Sequence, residues 1–319
     1  MKKFYNRHKL AIKILVSLGI IGLLGMRMDT HNAAELISKI HRNVWLIAAG
    51  MIFVQILSLS YRWFLLINAH EKRITYRNAV RVTIASQIAN YLFITSIGGI
   101  VVRIALSVQS GFSVMRSIAA TALDRIMTLA ALLILTALFL PVLSAIASHD
   151  VYHHAIFVLV LFALALFMFA LLMFDTLRRR IIFSHRKITM CFKYLRTIMT
   201  DQNLLAKVII SSLVGQLAYF VAVYSVTLST GIEFSWLHFI SILPLITIVA
   251  SLPVGYGGWG IREGAFVYGL GLINIPMETA FAISVQIGLI SMLCAFIAGV
   301  PALLLRKNSV NFLHLFHRH

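Results

Sequence analysis

Five ionisable side chains stand inside otherwise apolar sequence: Arg103, Asp124, Arg125, Arg262 and Glu263. An ionisable group deep in a bilayer costs several kcal/mol, so each of them needs a partner or a task. Arginine grips phosphate bidentately, and two arginines with two carboxylates can hold an anionic headgroup while keeping the local charge balanced. Adjacent side chains on a helix diverge. Asp124 and Arg125 are therefore expected to find separate partners, with Arg103 or Arg262 as the counter-ion of Asp124, and Arg262 and Glu263 are expected to diverge as well. Both arginines follow glycines, in Gly98-Gly99-Ile100-Val101-Val102-Arg103 and Gly257-Gly258-Trp259-Gly260-Ile261-Arg262. A glycine-rich break followed by a helix aims backbone N–H groups and the positive helix end at an anion. Close packing and a hinge account for the same glycines equally well. A charge network that only pins the backbone is the competing reading of the arginines. Gln87, Asn90, Ser96, Gln216 and Gln286 are polar positions within apolar runs and are expected to face a cavity, although each alone is more commonly an interhelical hydrogen bond.

Other chemistries find no support. Gly255-x-Gly257-x-x-Gly260 spells a dinucleotide fingerprint, but no strand precedes it and no βαβ unit surrounds it. There is no P-loop, no Ser-His-Asp constellation and no paired catalytic carboxylates, so the chain reads as neither an enzyme nor an ATP-driven pump. His149, His153 and His154, and the tail histidines His314, His317 and His319, read as solvated groups, so no metal and no cofactor is expected. Cys191 and Cys294 lie in a basic loop and an apolar run and are not expected to pair.

The elements that must position the five charges are membrane helices. Of 319 residues, 60% are hydrophobic and only 12% are charged, against about 25% in a soluble domain. Uncharged runs cover 43–61, 82–102, 208–232, 235–261 and 279–305, and about 20 apolar residues span a bilayer. A soluble enzyme, a disulfide scaffold and a disordered chain are excluded. The formal net charge is +18, but the basic residues cluster between apolar runs, as cytoplasmic loops facing anionic lipid do. No nucleic-acid partner is expected.

Loop charges orient the chain. Lys2, Lys3, Arg7 and Lys9 place the N-terminus inside, ahead of a retained anchor helix at 10–26. The balanced stretch 27–42 and the Lys/Arg-free stretch 141–151 read as external. Lys72, Arg73, Arg77 and Arg81 read as internal, as does the basic segment 175–207, expected to be an amphipathic stretch lying on lipid. Arg306, Lys307 and Arg318 place the tail, 306–319, inside. Two stretches then enter and leave on one side, 82–114 and 236–275, and should be re-entrant hairpins, although three full crossings would also fit the second. Irregular backbone at membrane depth requires surrounding protein or a wet cavity. The GG-x-x-x-R hexamers recur 159 residues apart, each between two long crossing helices, the first unit entered from inside and the second from outside. The expectation is an all-α polytopic membrane protein with two inverted repeats, 44–140 and 208–305, joined through a helix at 152–174, each with a re-entrant hairpin beside a central polar cavity.

Asn90 through Leu135, with GG-x-x-x-R and then Ala122-Leu123-Asp124-Arg125, resembles the first signature of the lysylphosphatidylglycerol synthase transmembrane region family. Leu252-Pro253 and Gly257-Gly258-Trp259-Gly260-Ile261-Arg262-Glu263-Gly264 resemble its second. The resemblance implies an integral inner- or plasma-membrane protein similar to the domain that translocates aminoacylated phospholipid, and to stand-alone members of glycolipid, polyprenyl-sugar or hopanoid pathways. No soluble aminoacyl-transferase domain is present, so lipid synthesis is not implied. The family's usual Pro before the first glycines and acidic residue after them are replaced by Thr95/Ser96 and Ile100/Val101.

The expected function is movement of a phosphate-bearing lipid or lipid-linked sugar between leaflets. Arg103 and Arg262 would hold the headgroup, and Asp124 and Glu263 would set the charge. Arg125, Asn90, Gly98, Gly99, Gly257 and Gly258 complete the candidate site. Expected partners are an anionic phospholipid or a polyprenyl-phosphate-linked glycan, with a cell-envelope glycosyltransferase as a candidate protein partner. The alternatives are a non-transporting subunit that anchors or regulates such an enzyme, and a lipid-modifying enzyme without a visible nucleophile.

Overall fold

The computed structural model describes residues 29–38, 42–69, 74–92, 98–146, 194–251 and 259–304, with isolated helical positions between 19 and 26 and between 152 and 164. Most of the anchor helix and of the 152–174 helix, the segment 175–193, Gly257, Gly258 and the tail 306–319 lie outside the described residues.

All elements described are α-helices: α1 (Thr30–Ser38), α2 (Arg42–Ile67), α3 (Tyr76–Leu92), α4 (Gly98–Gln109), α5 (Val114–Ile146), α6 (Gln202–Leu228), α7 (Trp236–Ala250), α8 (Ile261–Gly271) and α9 (Met277–Leu304). Four of them, α2, α5, α6 and α9, are long and apolar enough to cross a membrane. The others fall short. The 17 residues of α3, 12 of α4, 15 of α7 and 11 of α8 reach about 26, 18, 22 and 16 Å at 1.5 Å per residue, against a hydrocarbon core of about 30 Å.

The long helices are apolar outside and polar within. On α6, Ile210, Val214, Leu217, Val221 and Leu228 form an exposed stripe at helical spacing. Its opposite face buries Ser211, Ser212, Gly215 and Gln216 against α2, the most extensively packed partner of α6. Small residues let helix backbones approach where lipid supplies no hydrophobic drive.

The packing pairs have an internal regularity. α2 meets α6; α3 meets α4 as α7 meets α8; α4 meets α5 as α8 meets α9; α5 meets α7 as α9 meets α3. The remaining contacts, α2 with α3, α5 and α9, match those of α6 with α7, α9 and α5. Exchanging the first four of these helices with the last four therefore leaves the pattern unchanged, and each long terminal helix seals the other half's short pair. Two apolar cores result. One, with Phe220, Phe239, Phe266 and Ile283, surrounds α7–α8; the other, with Trp63, Leu66, Val102, Leu106 and Leu123, surrounds α3–α4.

Three sequence expectations are revised. The stretch 27–42 contains α1, which packs on α9. Its Leu36 carbonyl accepts from Gln286 Nε2 at 2.9 Å, so Gln286 makes an interhelical bond. The end of the basic segment does not lie on lipid: residues 194–200 are helical, and Tyr194, Leu195 and Ile198 are buried in the second core. The Tyr194 hydroxyl donates to the Leu66 carbonyl, which gives one of the last carbonyls of α2 a partner. Arg116 does the same for Ile67, donating from Nε and Nη2 at 3.1 and 2.8 Å. Finally, α6 begins at Gln202 rather than 208, because Asp201 caps it by accepting from Leu204 N at 3.0 Å.

Candidate functional site

The first hairpin is fixed by charge. Gly99 sits so close to α3 that a Cβ there would collide with the Ser86 carbonyl and the Asn90 side chain. Its N–H donates to Asn90 Oδ1 at 2.9 Å. The glycine is thus used for close approach, and the Gly99 N–H is committed to Asn90 rather than offered to an anion. One turn on, Arg103 Nη1 donates to Asp124 Oδ2 at 2.7 Å and Nη2 to Ser86 Oγ at 3.3 Å. The second carboxylate oxygen of Asp124 accepts from Arg62 Nε, also at 2.7 Å. Arg62 further donates to Ser212 of α6 and Thr128 of α5, at 3.1 and 2.8 Å. Arg62, Arg103 and Asp124 are 1%, 7% and 4% exposed, so this triad is dry. It carries one carboxylate against two guanidinium groups and joins α2, α4, α5 and α6. Trp63 covers Arg103, with the guanidinium 5.6 Å from its ring centre.

The second hairpin is built differently. Gly260 caps α8 at φ 88, a left-handed backbone that side chains resist, and its N–H donates to Glu263 Oε2. That carboxylate at the third helical position is a capping box in outline. Glu263 Oε1 accepts from Arg262 Nη2 at 2.7 Å and Nε at 3.0 Å, and from Ser284 Oγ at 3.3 Å. Arg262 and Glu263 therefore pair with each other, contrary to the divergence expected from their spacing. Folding the Glu263 carboxylate back over the helix start brings it within reach of the long arginine. The Arg262 guanidinium lies over Trp259, 4.5 Å from the ring centre, and against Gly288, where a Cβ would occupy its place. Nη1 of Arg262 has no hydrogen-bond partner among the described residues.

Arg262 forms part of the wall of a cavity of about 300 Å³. The cavity lies at mid-length of α2 and α9, where the end of α3, the end of α7 and the start of α8 converge. Gln55 comes from α2, Gln87, Asn90 and Tyr91 from α3, Tyr219 from α6 and Ser291 from α9, over Ile52, Ile56, Ala250 and Ile287. Among the described residues, the side chains of Gln55, Gln87, Tyr91, Tyr219 and Ser291 make no hydrogen bond within the protein. Among the described residues no carboxylate lines the cavity, and the sequence segments 93–97 and 252–258 contain none.

The structure thus brings Arg262 and Asn90 to one cavity and joins Arg103 to Asp124 at a separate buried site. Arg125 points to the exposed side of α5, away from Asp124. Gly98 and Gly99 are buried in the first hairpin, and Gly257, Gly258 and Ser96 lie outside the described residues. Gln216 is buried 97% of the way from solvent rather than lining the cavity. Sequence reasoning missed Arg62, Gln55, Tyr91, Tyr219, Ser284, Gly288 and Ser291. The signal for Arg62 was present: apolar residues resume at Trp63 and continue to Ile67, four residues before Glu71 opens the loop.

A search of curated proteins finds no match to the chain. A family model described as the lysylphosphatidylglycerol synthase TM region matches residues 10–299, a stretch that includes both glycine–arginine motifs, α2, α5 and α6 and all of α9 but its last residues. The protein is membrane-embedded, and the chain belongs to the lysylphosphatidylglycerol synthase TM region family.

Proposed function

We propose that the protein moves a phosphate-bearing lipid or lipid-linked sugar between membrane leaflets, with Arg262 as the headgroup anchor. The carrying observation is the cavity at mid-length of the long helices, with a guanidinium in its wall that keeps one nitrogen unengaged. Midplane sites formed where discontinuous helices meet are the pattern of transporters built from repeats. The exchange-invariant packing pairs support two repeats. The short α3–α4 and α7–α8 pairs support re-entrant hairpins, since none of the four reaches across about 30 Å of hydrocarbon. The charge distribution along the loops supports an inverted relation and cytoplasmic termini in an inner or plasma membrane.

In this reading Arg103 is a positioning residue. Its charge is met by Asp124, and the triad holds the first hairpin to α2 and α5 so that Gln87, Asn90 and Tyr91 face the cavity. Glu263 holds Arg262 in place from the side away from the ligand. The test is transport of a fluorescent short-chain phospholipid across reconstituted vesicles, read by dithionite quenching. Arg262→Ala should reduce transport to the protein-free rate in protein that still extracts monodisperse, with a lowered unfolding midpoint because buried Glu263 loses its counter-ion. Unchanged transport in a folded variant overturns the assignment.

A further inference from the structure

We infer that the cavity beside Arg262 accepts a headgroup made of one phosphate and an uncharged, hydroxyl-rich remainder, a phosphodiester-linked polyol or single sugar, and rejects one that carries an ammonium group. The inference rests on the transport reading only in taking the ligand to be a lipid.

Charge comes first. Among the described residues, Arg262 is the single charged residue in the cavity wall, and no carboxylate shares the wall with it. The nearest acid, Glu263, is fully buried and spends both oxygens on Arg262, Ser284 and Gly260. A phosphate finds an unengaged guanidinium N–H. An ammonium group would sit beside that guanidinium with no counter-charge, and like-charge contact is the strongest discriminator a site of this kind has. This separates the chain from the aminoacylated, cationic lipid that its family resemblance brings to mind.

The neutral lining supplies the second half. Gln55, Gln87, Tyr91, Tyr219 and Ser291 present two amides and three hydroxyls, unengaged among the described residues. Amides and hydroxyls both donate and accept, as do the hydroxyls of a polyol, so each can be matched without a charged partner. A headgroup lacking hydroxyls would form none of these hydrogen bonds, and sites built to hydrogen-bond hydroxyls reject analogues without them. Size agrees. A cavity of about 300 Å³ holds the equivalent of about ten waters, enough for a phosphate and one ring. Trp259 covers one face of the guanidinium and leaves its edge to the phosphate.

The test is equilibrium binding to the full chain in nanodiscs, with four dihexanoyl or soluble probes: phosphatidylinositol, phosphatidylmethanol, lysyl-phosphatidylglycerol and free myo-inositol 1-phosphate. Phosphatidylinositol should bind at least tenfold tighter than phosphatidylmethanol, which has the same charge without hydroxyls, and tighter still than the lysyl lipid. Gln55→Leu combined with Tyr219→Phe should shrink the inositol preference to under threefold while leaving phosphatidylmethanol unchanged. Arg262→Ala should weaken both phosphodiesters tenfold or more. Equal binding of the lysyl lipid, equal binding of the two phosphodiesters, or no effect of the double variant overturns the inference. Free inositol phosphate binding as tightly as the lipid overturns the headgroup source. The same samples, run for transport, separate the two claims: a headgroup preference without movement of any lipid removes the transport reading alone, and movement without preference removes this one alone.

Discussion

The two hairpins carry the same GG-x-x-x-R hexamer and put it to opposite uses. Arg103 meets an acid from another helix, Asp124, and shares it with Arg62, so the first hairpin is bolted to α2 and α5 in a dry core. Arg262 meets the next residue in its own chain, Glu263, which leaves one guanidinium nitrogen and the adjacent wall available. At the 159-residue offset the second half places Val221 where the first has Arg62, and Ile283 where it has Asp124. The acid has moved from the crossing helix to the hairpin. Here the arginine whose partner arrives from across the fold is spent in the core, and the one whose partner sits beside it keeps a guanidinium nitrogen without a hydrogen bond among the described residues. Motif identity says little about which of the two will happen.

That contrast can be broken, most severely at Asp124. Asp124→Asn leaves two buried guanidinium groups without a carboxylate, and removing one partner of a buried pair costs about 3–5 kcal/mol. The expected outcome is loss of monodisperse protein on extraction, whereas Arg262→Ala leaves buried Glu263 to Gly260 and Ser284, so it should lose transport outright and cost less stability than Asp124→Asn. Arg62→Val imports the second half's residue into the first. It should cost less than Asp124→Asn, about 2–3 kcal/mol, because Asp124 keeps Arg103 while Ser212 and Thr128 lose a donor. A double-mutant cycle with Arg103→Ala, read by chemical unfolding in detergent, should give a coupling of at least about 1 kcal/mol; additivity would mean the triad is not a unit. Gly288→Ala should displace the Arg262 guanidinium and cut transport about tenfold, with an unfolding midpoint close to wild type, since the displaced group is the end of a flexible side chain. Arg116→Ala touches neither hairpin charge site. It should cost about 1 kcal/mol, seen as faster hydrogen exchange at the end of α2, with transport intact.

Much of the architecture was legible because membrane helices announce themselves by long uncharged runs, and three of the four long spans, α2, α6 and α9, lie on them. That Asp124 needs an arginine was legible from cost alone, with Arg103 and Arg262 as the alternatives, and the structure selects Arg103. Arg62 was passed over, because the uncharged run ends at Tyr61 and Arg62 stands just past it. The Arg262–Glu263 pair was hidden by a rule that holds in mid-helix and fails in the first turn, where Glu263 folds back to cap Gly260. Gln55, Tyr91, Tyr219 and Ser291 were illegible singly: nothing in one glutamine or tyrosine tells a hydrogen bond between helices from an open valence in a cavity. The buried face of residues 194–200 was masked by the basic residues around it.

The cross-over of the halves, with α9 sealing α3 and α5 sealing α7, bears on how the chain is made. When α3 has left the ribosome at residue 92, the helix that will cover it begins only at residue 277. At about 5–20 residues per second, that gap lasts about ten to forty seconds. During that interval the first hairpin, shorter than the bilayer and carrying buried charge, has α2, α4 and α5 for company but one flank exposed to lipid. Biogenesis, rather than the finished molecule, is where the triad is most needed: Asp124 arrives with α5 soon after the hairpin, and Arg62 is already in place, so the ionic bolt can close on the nascent chain long before its permanent wall is synthesised.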